Sequence, residues 1–124
     1  MIEAITRAYL DAGSDMVSTN TFNANTISQG DYGAEHLVRE INLASGRIAR
    51  KCADDYAAKD GRPRFVAGAI GPTNKTLSLS PDVNDPGYRA IDFDTMRDVY
   101  ADQIEALIEG GCDFILIETI FDTL

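Results

Sequence analysis

The sequence has no apolar run approaching the ~18 residues that a membrane span needs, and no basic-then-apolar leader. Neither a membrane segment nor a secretory signal is therefore expected, and the predicted compartment is the cytoplasm. The chain is also poor in cations: 11 Lys and Arg against 20 Asp and Glu leave a net charge of -9. Nucleic acid and anionic lipid both require clustered Lys and Arg, so neither is an expected partner, and the acid excess reads as solubility. Histidine occurs once, as His36, with no triad partners close in sequence, which points to a surface or packing role. Cys52 and Cys112 lack C-x-x-C spacing and read as two reduced thiols rather than a disulfide framework. What remains is 124 residues, 44% hydrophobic and 25% charged, as in an ordinary globular chain of at most one domain.

Within that chain one pattern occurs twice, 98 residues apart: Ala12 to Phe22 (AGSDMVSTNTF) and Gly110 to Phe121 (GGCDFILIETIF). Gly13 matches Gly111, Asp15 matches Asp113, Thr21 matches Thr119, and Asn20 falls opposite Glu118. Each copy reads as a helix stopped by glycine, a short turn with an Asp, and an apolar strand that closes on polar residues.

Apolar positions at helical spacing predict a helix up to Gly13, a long helix from about Tyr32 to Ala58 with its stripe on Leu37, Ile41, Ala44, Ile48, Cys52 and Tyr56, and a third helix carrying Phe93, Met96, Tyr100, Ile104, Leu107 and Ile108. Asp92 is the expected N-cap of the third. Strands are expected from Asp15 to about Asn20, from Arg64 to Ile70, and over 113–118. Helix, strand, helix, strand, helix, strand implies parallel strands with right-handed crossovers. Three strands are too few for a finished parallel sheet. The expected fold class is therefore α/β, a partial (β/α)8 TIM barrel of about three βα units, a form that needs ~250 residues when closed. A small open three-layer sheet is the alternative. Residues 1–124 are expected to be part of a single barrel domain, incomplete at both ends.

The segments after the first two strands, Thr21 to about Asp31 and Gly71 to Ile91, are long, and both leave the carboxyl ends of strands, where such folds build their sites. Alternation along a strand predicts that Glu118, Leu116 and Phe114 share one face, and that Asn20, Ser18 and Met16 share the same face one strand removed. A carboxylate and an amide at one rim suit a small zwitterion. The competing readings are a structural ion pair for Glu118 and a turn cap for Asn20. Thr19 and Thr21 read as ligand donors or as strand formers. Asp122 could orient a ligand-binding group or cap a helix.

Other patterns are weaker. GPTNKT lacks the second glycine of a phosphate loop, so Lys75 reads as a solvated charge. DVNDPG has Pro86 where a calcium ligand is needed. The NKT sequon at Asn74 reads as chance.

STNTFNANTISQGDYGAEH, RFVAGAIGPTNKTLSLSPDVNDPGYR and ILIETIFDTL together resemble the homocysteine-binding domain of cobalamin-dependent methionine synthase, over essentially the whole chain. The resemblance implies a (β/α)8 barrel in which homocysteine sulfur is activated on zinc and methylated by methylcobalamin carried on another module, with homocysteine and the cobalamin-binding and folate-binding modules as partners. It implies that Glu118 holds the amino group of homocysteine, and that Thr19, Asn20 and Thr21 help fix the amino-acid end. It also implies three zinc-binding cysteines on later strands. Cys52 and Cys112 do not match them, so neither a metal ligand nor a catalytic residue is expected here, and the chain alone is expected to be inactive. Two alternatives remain: a cobalamin-independent homocysteine S-methyltransferase using a sulfonium or betaine donor, and a truncated, non-catalytic binding module.

Overall fold

The structure, a computed structural model, describes residues 1–122. Helix α1 (Ile2–Asp11) buries Thr6 and Leu10, and Gly13, at φ 100°, turns the chain into β1 (Met16–Ser18). A left-handed residue at this point favours glycine, which has no Cβ to clash. The segment after β1 holds a short helix, α2 (Thr26–Gly30), not expected from apolar spacing. Its start is set by Asn25, whose Oδ1 accepts the Ser28 N–H at 2.8 Å, as N-cap asparagines do. A single 3-10 turn (Glu35–Leu37) leads into α3 (Val38–Asp60). The long helix thus begins six residues later than its apolar stripe suggests, and it stops at Gly61, φ 72°. Then follow β2 (Phe65–Ile70), a segment over 71–91 with neither helix nor strand, α4 (Phe93–Glu109) and β3 (Phe114–Ile117). Asp92 caps α4 as expected, accepting the Thr95 N–H at 2.9 Å.

The strands form one parallel sheet in the order β1-β2-β3. Met16 pairs with Phe65, Ser18 with Ala67, Ala67 with Phe114, and Ala69 with Leu116. One face therefore carries Met16, Ser18, Phe65, Ala67, Phe114 and Leu116, and the other carries Val17, Val66, Gly68 and Ile115. Helices cover the second face: Leu10, Val17, Ala49, Cys52, Ala53 and Val66 pack as one cluster, with Tyr56 and Cys112 against it. The first face is open, leaving Met16 50%, Phe65 46% and Phe114 41% exposed. That is the arrangement of a barrel wall, with helices outside and strand side chains turned toward the interior.

The buried stripe of α3 differs from the expected one. It runs through Val38, Asn42, Ser45, Ala49, Cys52 and Ala53, while Leu37 and Ala44 are exposed. Small residues win these positions because α3 must approach closely: a Cβ at Gly46 would stand 3.0 Å from the backbone of Gly110. On α4 the buried residues are Gln103, Ala106 and Leu107, and Phe93 and Ile108 lie outside.

Candidate active-site rim

The first strand ends in a closed hydrogen-bond circuit. Ala69 N–H donates to Thr19 Oγ1 (3.0 Å), Thr19 and Thr21 hydroxyls meet at 2.6 Å, and Thr21 Oγ1 donates to the Ala69 carbonyl (2.7 Å). A hydroxyl has one proton, and that of Thr21 goes to the carbonyl, so Thr19 is the donor between the two. The circuit replaces ladder bonds where β1 leaves the sheet. Both threonines are buried, Thr21 completely, and their hydroxyls act on the backbone of β2.

Asn20, between them, is exposed. Its backbone N–H donates to Ser45 Oγ (3.1 Å), and Ser45 Oγ donates to its Oδ1 (2.5 Å). Two fully buried amides secure the following turn. Gln103 Nε2 donates to the Thr21 carbonyl (2.8 Å), and Asn42 Nδ2 donates to those of Ala24 (2.7 Å) and Val38 (2.8 Å). Phe22 then reaches β2, where its carbonyl accepts the Gly71 N–H at 2.8 Å and its ring fills the place a Cβ would take at Gly71.

At β3, Glu118 N–H donates to the Ile70 carbonyl (3.0 Å), extending the ladder by one residue. Its side chain is half-buried and, among the described residues, makes no hydrogen bond or ion pair. The structural ion pair considered for this carboxylate is not formed within residues 1–122. The next residue, Thr119, has φ 62°, a left-handed conformation that is an outlier for a β-branched side chain. Backbone strain of this kind gathers at ligand sites. Asp122 holds the second long segment in place: its Oδ2 accepts the N–H groups of Leu77 (2.9 Å) and Ser78 (3.0 Å) and the Ser78 hydroxyl (2.8 Å).

Asn20 and Glu118 thus sit at the same ends of strands separated by one strand, and no hydrogen bond joins them. Strand register aligns Ser18, Ala67 and Phe114, so Asn20 lies two residues beyond that line and Glu118 four. The offset is about 6–7 Å along the strands, in keeping with the stagger of a barrel wall. A cavity of about 560 Å³ opens between α1 and β1, lined by Met16, Ser18, Thr19, Asn20, Ala67 and Leu116 among others.

The sequence pattern of homocysteine S-methyltransferases matches residues 1–124. The chain belongs to this family. Crystal structures of the homocysteine methyltransferase MmuM from Escherichia coli have the same fold. The metallated form aligns with a TM-score of 0.75 at 22% identity over 97% of this chain and 42% of its own. The oxidized form aligns at 0.69 and 21% identity over 92% and 39%, and the apo form at 0.60 and 21% over 92% and 36%. The chain thus spans about two fifths of the length of these relatives, and its sheet is an arc of their barrel.

The described donors of this family member do not assemble a metal site. Among the described residues no group of three or more His, Cys, Asp or Glu side chains gathers to hold an ion. Cys52 is fully buried between α1 and the sheet, and burial raises its thiol pKa. Cys112 lies at the amino end of β3, away from the rim; burial, reinforced by Asp113, pushes its pKa up to about 11. A thiol ligand must be a thiolate, so these cysteines do not suit zinc. His36, on the 3-10 turn, and Lys75 are both exposed. No helix among the described residues is long and apolar enough to cross a membrane.

The residues overlooked in the sequence are Ser45, Asn42 and Gln103. Their signal was available for α3: polar residues interleaved with small ones at helical spacing, Asn42, Ser45, Ala49, Cys52.

Proposed function

We propose that the chain is the homocysteine-recognition part of a methionine synthase, which transfers a methyl group from methylcobalamin to homocysteine. The observation that carries the reading is the Glu118 carboxylate, half-buried at the strand end and without a cation among the described residues. An ammonium ion is its natural complement. In this reading Glu118 takes the substrate amino group and Asn20 engages the carboxylate, presented by the strand end that Thr19 and Thr21 secure. The sulfur is then left pointing into the barrel.

A free thiol has a pKa of about 8.5, so transfer to it at neutral pH benefits from a metal that holds the thiolate. Zinc would supply that chemistry, and no residue described here is suited to bind it; this chain's part is to bind and orient the amino acid. The cobalamin-dependent type is supported by the likeness of the GPTNKT to SPDVNDPG segment to that enzyme. The cobalamin-independent alternative differs in its methyl donor.

Isothermal titration of the intact protein with L-homocysteine, with phosphate as control, tests the binding reading. Binding that vanishes in Glu118→Gln supports it, and phosphate binding in place of homocysteine overturns it. Turnover with methylcobalamin against a sulfonium donor then separates the two enzyme types.

A further inference from the structure

Ser45 lies on the sheet-facing stripe of α3 with Asn42 and Ala49, and is 5% exposed. A serine inside a helix commonly returns its proton to the carbonyl four residues back; here it reaches out to Asn20 instead. Its hydroxyl has one proton and two lone pairs. The Asn20 backbone N–H occupies one lone pair at 3.1 Å, and the proton goes to Asn20 Oδ1 at 2.5 Å. With the amide reversed, Nδ2 would take the second lone pair and the buried hydroxyl proton would need another acceptor; as it stands, Oδ1 receives that proton. The mount is firm, because neighbouring Gly46 is packed against the backbone of Gly110.

We propose that Ser45 is a positioning residue that sets the polarity of Asn20: by holding the amide oxygen on the helix side it leaves the Nδ2 hydrogens, which have no partner among the described residues, for a ligand at the rim, so that Asn20 favours an anionic oxygen, the carboxylate of an α-amino acid. This rests on the homocysteine reading above and extends it to a residue on the outer helix. Asn20 presents donors, Glu118 can only accept, and the two together favour a carboxylate and an ammonium in a set order. An amine without the carboxylate, or an acid without the amine, meets half of the site.

The test is titration of the intact protein with L-homocysteine and with its decarboxylated counterpart, 3-aminopropane-1-thiol, in wild type, Ser45→Ala, Ser45→Thr and Asn20→Asp. Loss of a hydrogen bond to a charged group corresponds to roughly tenfold in affinity, so Ser45→Ala is expected to weaken homocysteine by about that factor and to leave the aminothiol within about twofold. Ser45→Thr keeps the hydroxyl and restores homocysteine binding. Asn20→Asp keeps the Ser45 bond but presents an anionic oxygen, so homocysteine weakens by more than in Ser45→Ala while the aminothiol does not weaken. Equal weakening of both ligands by Ser45→Ala, or undiminished homocysteine binding by Asn20→Asp, overturns the proposal and leaves the Glu118 reading standing. Failure of the wild type to bind homocysteine removes the amino-acid reading and this inference with it.

Discussion

Gly13 and Gly111 turn the chain with φ of 100° and 98°, and two residues later Asp15 and Asp113 each meet an arginine, Arg62 and Arg50. To that point the two βα steps are alike, because a helix reversing into a strand needs a left-handed residue and glycine supplies it without strain. Their exits differ. The first spends its polar side chains on protein: Thr19 and Thr21 close a circuit on Ala69, and the Asn20 oxygen is taken by Ser45. The second leaves Glu118 without a partner among the described residues and follows it with Thr119 at φ 62°. Entrances are repeated because one backbone geometry solves them, whereas exits are individual because each shapes a different part of the rim.

The sharpest way to break this comparison is at the exits. Glu118→Ala is expected to weaken homocysteine binding roughly 30-fold or more, and Asn20→Ala roughly tenfold, since loss of a charge pair outweighs loss of one charge-assisted hydrogen bond. Equal losses by titration would erase the distinction between the two ends.

At the entrances, Asp113 accepts the N–H of fully buried Val66 (2.7 Å) as well as Arg50 (2.9 Å), whereas Asp15 holds Arg62 (2.6 Å) from a 61% exposed position. Asp113→Ala should cost about 1–3 kcal/mol by leaving that N–H unpaired, and Asp15→Ala under about 1 kcal/mol. Urea denaturation of the two variants measures the difference.

The glycines should separate less widely. Alanine in the left-handed conformation costs about 1–2 kcal/mol at either position, but a Cβ at Gly111 also meets Arg50 Cγ at 3.0 Å, while Gly13 has nothing within 4 Å. Gly111→Ala is therefore expected to melt below Gly13→Ala; the reverse order would show that the arginine stem yields freely.

The smallest effect is electrostatic and belongs to the first step alone. Arg7 and Lys51 hold the Glu3 carboxyl, and Arg7 and Lys51 that of Asp55, below the usual carboxylate range. A lowered folded value means that the stabilisation is complete above the unfolded pKa and is lost as pH falls through the folded one. Thermal stability should thus decline as pH falls below about 4, with a slightly shallower decline in Glu3→Gln. These groups are partly exposed, so 0.5 M salt should flatten the difference; a slope indifferent to both changes would assign acid unfolding to other carboxylates.

Much of the fold could be read from local pattern. Gly13 and Asp92 stop or start their helices where expected, and β2 and β3 lie within the anticipated apolar runs. The face carrying Phe114 and Leu116 follows from alternation. The start of α3 was misplaced because Leu37 and Ile41 extend an apolar spacing that the backbone does not follow, and α2 was missed because five residues capped by Asn25 have too little apolar periodicity to register. At the rim, Glu118 and Asn20 stood out as polar residues closing apolar strands, while the roles of Thr19, Thr21 and Asp122 depended on partners 44 to 50 residues away.

By itself the sequence determined the order of the three long helices and the strands, the Asp92 cap, and the side of the sheet each strand residue takes, because these follow from the conformational preferences of neighbouring residues. Only the tertiary structure decided that Ser45 holds the Asn20 oxygen, that Asn42 and Gln103 clamp the turn beyond it, and that Glu118 meets no cation within residues 1–122. Those outcomes depend on which side chains converge from different elements once the helices have packed, and residue spacing along the chain carries no record of that convergence.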